Sequence, residues 1–423
     1  MALENIIITN ISQDSIAQEF TQKAIDFLNK NYLGYEGKEK KIPDCDLVFS
    51  SSHFSGGEFD PQFRGEVEGK SVYLFGIPNL PAAFLKSLTP GELMARFLFA
   101  SQAAYDNGAK TVKVIYPDML FSRGDKTFSD FEPGTEAYEK NKGRGRTARA
   151  QAIAFKGAGI EEIITLDIHS KHVEDFYKDI YGYQPIHVIN QNPLFAHYLV
   201  NDSSLKINDK GKELVIVCPD LGAQKKVRDF VSILKDSYGL TNIGVMYLKK
   251  IRRVPNNPDE VDISIDSLEN IDTIQDKHII IYDDIVDTAG TFSTACKHIR
   301  SKGICINGAD DEPQLPKGIY GFLSHAVLAG MNYEGPMKKL VSSRADELIL
   351  TNTHLFVEDN LIYPLKQNTS ILRLAHVFAE AIYCRELDHD VNDIYRCDGK
   401  IDPERIARIY NVKRSSSHFL NQR

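Results

Sequence analysis

The sequence predicts an α/β architecture spread over more than one domain, on three observations. Short β-branched runs alternate with helical stretches almost from end to end, the pattern of mainly parallel sheets with helices on both faces. At 423 residues the chain exceeds the roughly 250–300 residues that one hydrophobic core accommodates, so two or three domains are expected. Its 42% hydrophobic and 26% charged residues are ordinary for a globular protein.

Composition also narrows the partners. The formal net charge of −8 weighs against a nucleic-acid binder. No apolar run reaches spanning length and the N-terminal MALENIIITN lacks a signal-peptide pattern, so no membrane partner is expected and the location expected is cytoplasmic. The six cysteines, at 45, 218, 296, 305, 384 and 397, include no CxxC pair. They read as reduced thiols, most of them core filler, with neither disulfides nor structural zinc.

Strands are expected at residues 6–9, 47–49, 72–75, 112–116, 163–167, 214–218, 243–248, 279–282, 319–323 and 347–351, with helices between them. One helix start is explicit: Thr89 as cap, Pro90 in the first turn and Glu92 completing a capping box, with Gly108 as the stop. The seam between domains falls near residues 185–212, where the polar NDSSLKINDKGKE at 201–213 precedes the strand at Leu214. The expected domains are 1–185 and 186–385, followed by an extension over 386–423. No internal repeat or low-complexity segment is visible.

The chemistry centres on residues 278–291, HIIIYDDIVDTAGT. Three isoleucines make a buried strand, Asp283 and Asp284 follow at an expected turn, and Asp287-Thr288-Ala289-Gly290-Thr291 leads into a helix. A small-residue loop at a helix N-terminus offers backbone N–H groups and a positive dipole end to an anion. Paired acids beside it suit ribose hydroxyls and a divalent cation rather than a second phosphate. The stretch reads as a cradle for a ribose 5-phosphate; the plainer alternative is a parallel strand with a Thr-rich helix cap.

Five other stretches carry candidate groups. FSGGE at 54–58 follows an expected strand, and alone is more often a turn. Arg123-Gly124-Asp125-Lys126 lies where open α/β sheets bind ligands, beyond the carboxyl end of a strand, and Arg123 suits a phosphate or a base there. Asp167 and His169 close another strand two residues apart, which would aim both at one metal-bound phosphate. Cys218-Pro219-Asp220-Leu221-Gly222-Ala223 repeats the strand–acid–loop–helix plan, or is simply a helix start capped by Asp220. Tyr247-Leu248-Lys249-Lys250-Ile251-Arg252-Arg253 ends a strand and opens the turn-rich Pro255-Asn256-Asn257-Pro258. Such basic runs are mostly solvated faces, but they also bring charge to phosphoryl-transfer sites.

The 278–291 stretch resembles the 5-phosphoribosyl 1-diphosphate (PRPP) motif of phosphoribosyltransferases and PRPP synthetases. FSGGE, RGDK, TLDIH, CPDLGAQKKV, KIR, YDDIVDTAGT, then Phe322-Leu323-Ser324-His325, Thr351-Asn352-Thr353 and the helix around 378–382 follow in the order of ribose-phosphate pyrophosphokinases, the PRPP synthetases, over about residues 45 to 385. The resemblance implies two similar phosphoribosyltransferase-like α/β domains, each a mainly parallel sheet flanked by helices. It implies a site between them in a homo-oligomer built on dimers, up to a hexamer. It further implies transfer of the β,γ-diphosphoryl group of Mg-ATP to the 1-hydroxyl of ribose 5-phosphate, giving PRPP and AMP.

Residue by residue, the resemblance implies Lys250 and Arg252 as catalytic groups. Phe54, Gly56, Glu58, Arg123, Gly124 and Asp125 would form the ATP side. Asp283, Asp284, Asp287, Thr288, Ala289, Gly290 and Thr291 would hold ribose 5-phosphate, and His169 and Asp220, helped by Asp167, would hold Mg²⁺. The chain departs from the family at Ile251, where the motif has glutamate, and at Gly124, where it has glutamine. Gly56 and Ala223-Gln224 are further departures, and extra sequence stands at 127–142 and 305–317. The first of these inserts starts acidic and ends with Lys140, Lys142, Arg144, Arg146 and Arg149, and reads as a lid over ATP or a plain solvated loop. Two other functions are compatible with the motifs: a non-catalytic regulatory relative, and a salvage phosphoribosyltransferase.

Overall fold

The computed structural model describes residues 2–12, 14–33, 42, 45–50, 55–56, 58–78, 88–219, 221–252, 261–303, 312–328 and 334–414. The chain forms two units. Met1–Ala82, Lys86–Asn190 and Ala375–Ile394 make the first, and Gln191–Leu374 with Tyr395–Arg423 make the second. Both units are therefore discontinuous in sequence. The helix Ala375–Glu386 groups with the first unit rather than with the residues before it, and residues 395–423 group with the second unit rather than standing apart as an extension.

In the first unit the β-branched runs become β1 (Ile6–Asn10), β4 (Ser71–Phe75), β5 (Thr111–Ile115), β6 (Ile160–Leu166) and β7 (Ile186–Ile189). These pair in that order as one all-parallel sheet. The expected strand at 47–49 exists as β2 (Asp46–Ser50), but it pairs antiparallel with β3 (Asp60–Arg64) in a separate ribbon. The helices are α1 (Ser15–Tyr32), α2 (Pro90–Asp106), α3 (Glu136–Asn141), α4 (Thr147–Gly157) and α5 (Lys171–Tyr181). α2 starts as its sequence dictates: Glu92 N–H donates to Thr89 Oγ1 at 3.2 Å, and Thr89 N–H to Glu92 Oε2 at 2.8 Å. Phe97 of α2 meets Tyr116 and, edge-on, Phe155 of α4, at ring-centroid distances of 5.0 and 5.7 Å, filling one side of the sheet.

The sheet also carries a buried polar rung. Tyr73, Lys113 and Glu162 are neighbours across β4, β5 and β6. The end of the helix Ala375–Glu386 closes over them: Arg385 Nε donates to Glu162 Oε2 at 3.0 Å, and Lys113 Nζ to Glu386 Oε1 at 3.1 Å. Tyr73 donates to the same Glu386 oxygen at 2.6 Å. Burial would push the Glu162 carboxyl up, but the Arg385 hydrogen bond together with the Lys113 and Arg385 charges holds it below its usual range. Removing one member strands a buried charge. Arg385→Met is therefore expected to cost about 2–3 kcal/mol locally, read as faster hydrogen–deuterium exchange across 375–394. Because the folded pKa of Glu162 is depressed, its contribution is present above the ordinary carboxylate range and fades as the pH falls. The gap between variant and wild type should narrow in acid.

The second unit lays five parallel strands in sequence order, as the first does: β8 (Leu214–Cys218), β11 (His278–Ile285), β12 (Gly318–His325), β13 (Glu347–Thr351) and β14 (Thr369–Leu372). β9 (Gly244–Arg252) adds in parallel beside β8, and β10 (Val261–Glu269) pairs antiparallel with β9 as the edge. The short strand Val412–Lys413 closes the other edge. The helices here include α6 (Asn192–His197), α7 (Gln224–Tyr238), α8 (Gly290–Lys302) and α9 (Glu334–Ser343). β8, β12 and β13 are buried at every residue, as a sheet covered on both faces requires. Cys45, Cys218, Cys296 and Cys384 are buried thiols and Cys397 an exposed one.

Candidate active site

Parallel sheets present the ends of their strands on one side, and both candidate sites arise there. In the first unit, β5 and β6 are neighbours, so the segments that follow them meet. Arg123, Gly124, Asp125 and Lys126 come from the first segment and His169 from the second, and together they line a cavity of about 480 Å³. The rest of the lining includes Phe131 and Asn141 of the insert, Arg144 just after it, and Thr147 at the start of α4. Arg123 and His169, placed by sequence on separate strands, thus share one cavity.

Among the described residues, the other site residues expected in this unit do not line that cavity. Asp167 does not accompany His169: β6 ends at Leu166, and Asp167 takes a left-handed φ of 44°, so strand alternation no longer relates the two. Asp167 is buried and its Oδ1 accepts the Ile168 N–H at 2.9 Å, whereas His169 is exposed at the cavity. Gly56 and Glu58 lie exposed between β2 and β3, outside the cavity lining, because that ribbon stands apart from the parallel sheet. Phe54 lies outside the described residues.

Register builds the site of the second unit. β8 pairs with β11 only as far as Val217 with Ile281, and with β9 as far as Cys218 with Tyr247. Both neighbours run on past the end of β8. β11 continues to Ile285 alongside β12, so Asp283 and Asp284 sit on a strand rather than in the expected turn. Successive strand residues face opposite ways, and the two acids separate accordingly. Asp283 is buried, and its Oδ1 accepts the Asp284 N–H at 2.9 Å. Asp284 forms an ion pair at 2.9 Å with Lys226 of α7. β9 continues beyond Tyr247 as a hairpin with β10, placing Lys250 opposite Ile263 and Arg252 opposite Val261. The side chains of Lys250 and Arg252, and all of Asp220, lie outside the described residues. Ala223 occupies the capping position of α7.

The loop after β11 has the predicted form. Ala289 takes a left-handed φ of 57°, and α8 begins at Gly290 with no side-chain cap. Its first amides therefore present themselves at the loop, where an anion would satisfy them. Packing does not demand glycine at 290, since a Cβ there would meet only Thr288 Oγ1 at 3.5 Å. The missing side chain leaves the loop side open to close approach. Asp287, Thr288 and Thr291 complete this turn.

Behind the cradle stands a brace to which the sequence assigned no role. The His325 carbonyl accepts the Val286 N–H at 2.9 Å, fixing the start of the loop. His325 Nδ1 and Thr353 Oγ1 lie 3.1 Å apart, and Thr353 Oγ1 is 3.2 Å from Thr351 Oγ1, all of it buried. The cross-strand proximity of Ser324-His325 and Thr351-Asn352-Thr353 depends on β12 and β13 pairing, which neither motif reveals alone.

Comparison with known proteins matches both units. A family model described as the phosphoribosyl transferase domain covers residues 188–308, which include the cradle and its neighbouring strands. A ribose-phosphate pyrophosphokinase of Listeria ivanovii is 26% identical over 333 residues, 79% of this chain and 84% of that protein. One from Campylobacter jejuni is 26% identical over 345 residues, 81% of this chain and 89% of its own length. The crystal structure of phosphoribosylpyrophosphate synthetase from Mycobacterium smegmatis superposes with a TM-score of 0.61 at 20% identity, covering 91% of this chain and 99% of that one, a likeness of fold. With the motif order running through both units, the chain is similar over about four fifths of its length to ribose-phosphate pyrophosphokinases (PRPP synthetases), and a phosphoribosyl transferase domain lies within that stretch.

Proposed function

We propose that this protein is a ribose-phosphate diphosphokinase, moving the β,γ-diphosphoryl group of Mg-ATP onto the 1-hydroxyl of ribose 5-phosphate to give PRPP and AMP. One observation carries the reading: each unit has a feature of a different kind suited to an anion. The first unit has a cavity walled by Arg123, Lys126 and Arg144, and the second has the cradle of β11 and α8. A salvage phosphoribosyltransferase has use for the second alone.

In this reading Arg123 and the backbone of Gly124 and Asp125 hold the nucleotide. The loop from Asp287 to Thr291 takes the 5-phosphate, and Asp283, with Asp284 beside it, takes the ribose hydroxyls. The 1-oxygen attacks the β-phosphorus, the bond from that phosphorus to the α-phosphate oxygen breaks, AMP departs, and the hydroxyl proton is lost to solvent or a nearby base. Little covalent chemistry is required, and the protein's task is alignment and charge neutralisation. Lys250 and Arg252, at the overhanging end of β9, supply positive charge to the transferring group.

Mg²⁺ typically takes one or two protein ligands with phosphate and water oxygens, and the chain can provide such a set. His169 stands exposed in the cavity and Asp220 follows β8 directly, whereas buried Asp167 is not presented there. When bound, the ion would polarise the β- and γ-phosphoryl oxygens. No helix among the described residues is long and apolar enough to cross a membrane. A cytoplasmic homo-oligomer is part of the proposal.

The deciding assay is AMP formation from ATP with and without ribose 5-phosphate. Formation that requires ribose 5-phosphate is expected. Binding of both substrates without AMP would leave a regulatory relative, and PRPP consumption with a nucleobase would indicate a salvage enzyme.

A further inference from the structure

The insert after Lys126 is a built element. The Thr127 N–H donates to Asp130 Oδ2 at 2.7 Å, and the Thr127 hydroxyl donates to the Arg144 carbonyl at 2.8 Å, which ties the two ends of the segment together. Arg146 Nη2 reaches Asp130 Oδ1 at 2.8 Å. Phe128 and Tyr138 meet edge to face at 5.4 Å, and Thr135 caps α3 by accepting the Tyr138 N–H. Asp130 is thereby turned onto Arg146. The basic half reaches the cavity through Arg144.

The cavity's charge follows from this arrangement. Arg123, Lys126 and Arg144 line it against a single carboxylate, Asp125. Asn141 Nδ2 donates to the Ala137 carbonyl at 2.8 Å, which fixes its amide, and its Oδ1 lies 3.4 Å from Arg144 Nη1. That contact uses one donor of the guanidinium fork and orients the rest. The residue beside Arg123 cannot share this work: a Cβ at Gly124 would lie 1.8 Å from Thr147 Oγ1. The start of α4 thus confines position 124 to backbone, and Phe131, Asn141 and Arg144 join Arg123 in lining the cavity.

We infer that Arg144 binds the polyphosphate chain of the nucleotide, with Asn141 as its positioning residue, so that the insert is one wall of the nucleotide site. The inference rests on the reading of this cavity as the ATP side of the proposed reaction. A separate effector site for phosphate or ADP on the insert is the competing outcome.

The test uses the full chain, with ADP binding measured by calorimetry and initial rates measured over a grid of ATP, ADP and inorganic phosphate. Arg144→Ala is expected to weaken ADP binding and raise the KM for ATP about tenfold, equivalent to about 1.4 kcal/mol, with the KM for ribose 5-phosphate unchanged. Arg144→Lys should recover part of the loss. Lys142→Ala removes the same charge two residues away, from a side chain that pairs with Glu139 at 3.6 Å and does not line the cavity, and should behave as wild type. Unchanged ADP affinity in Arg144→Ala, or an equal loss in Lys142→Ala, overturns the inference. So does ADP inhibition that saturating ATP cannot relieve and that Arg144→Ala removes. An Arg144-dependent ADP affinity in a protein that forms no AMP would instead overturn the proposed reaction and leave the wall in place.

Discussion

Replacing Lys250 by alanine is expected to lower kcat by about two to three orders of magnitude while ribose 5-phosphate binds almost as before. The reason lies in where β9 ends. It parallels β8 only to Tyr247 and then continues to Arg252 as a hairpin with β10, beyond the edge of the sheet. β11 overhangs the same edge on the other side of β8, carrying Asp283, so basic run and acidic pair project from one side of one sheet, two strand spacings or roughly 10 Å apart. In the proposed reaction a cation delivered there would meet charge that develops only as the β-phosphorus leaves the α-phosphate, and such a contact acts on kcat rather than on ground-state binding. Arg252→Ala should show the same signature. Near-wild-type kcat in Lys250→Ala would mean that the hairpin does not serve the transfer, and calorimetry with ribose 5-phosphate alone separates this from a cradle defect.

What the sequence made legible, and what it hid, divides along physical lines. Buried parallel strands such as β8 and β11 announce themselves because both faces need apolar residues, leaving the continuous runs at 214–217 and 279–281. The strands passed over are short or peripheral. β3 contains Pro61, β10 is an edge strand that alternates polar and apolar residues around Ile263 and Ile265, and β7 has four residues inside the expected seam. The helix Ala375–Glu386 reads as buried, since eight of its residues are, but no local pattern says which core receives it. Its return to the first unit is settled by distant partners, Glu162 and Lys113.

The candidate site shows the same division. Loop chemistry that depends on local backbone was readable: the small-residue turn before α8 forms as its sequence suggests, with Ala289 left-handed at the helix start. Facing directions were less so. Asp167 and His169 were paired by strand periodicity, yet the strand stops one residue too early, and the left-handed turn that follows uses the tolerance of aspartate for positive φ, which has no sequence signature of its own. Asp283 and Asp284 were expected in a turn, and instead stay on a strand whose partner β12 extends as far as they do. The acidic-looking insert conceals its cationic contribution because Asp130 is matched by Arg146, sixteen positions away.

Asp283→Asn is expected to weaken ribose 5-phosphate binding by about one to two orders of magnitude, and Thr291→Val by about one, while ADP affinity at the first unit's cavity is unchanged in both. Asp283 is buried on β11 opposite Leu323, with one carboxylate oxygen taken by the Asp284 N–H. Its charge strengthens any hydrogen bond from a sugar hydroxyl, because charge-assisted bonds in a water-poor setting exceed neutral ones. Asparagine keeps the shape and the local acceptor, so the loss reads as charge rather than as collapse of the strand. Thr291 sits in the first turn of α8, where valine preserves volume and removes only the hydroxyl offered to the 5-phosphate. Calorimetry with ribose 5-phosphate, alongside ADP as an internal control, separates the outcomes. Equal losses for both ligands would point to unfolding, and undiminished ribose 5-phosphate affinity in both variants would remove the cradle from residues 283–291 altogether.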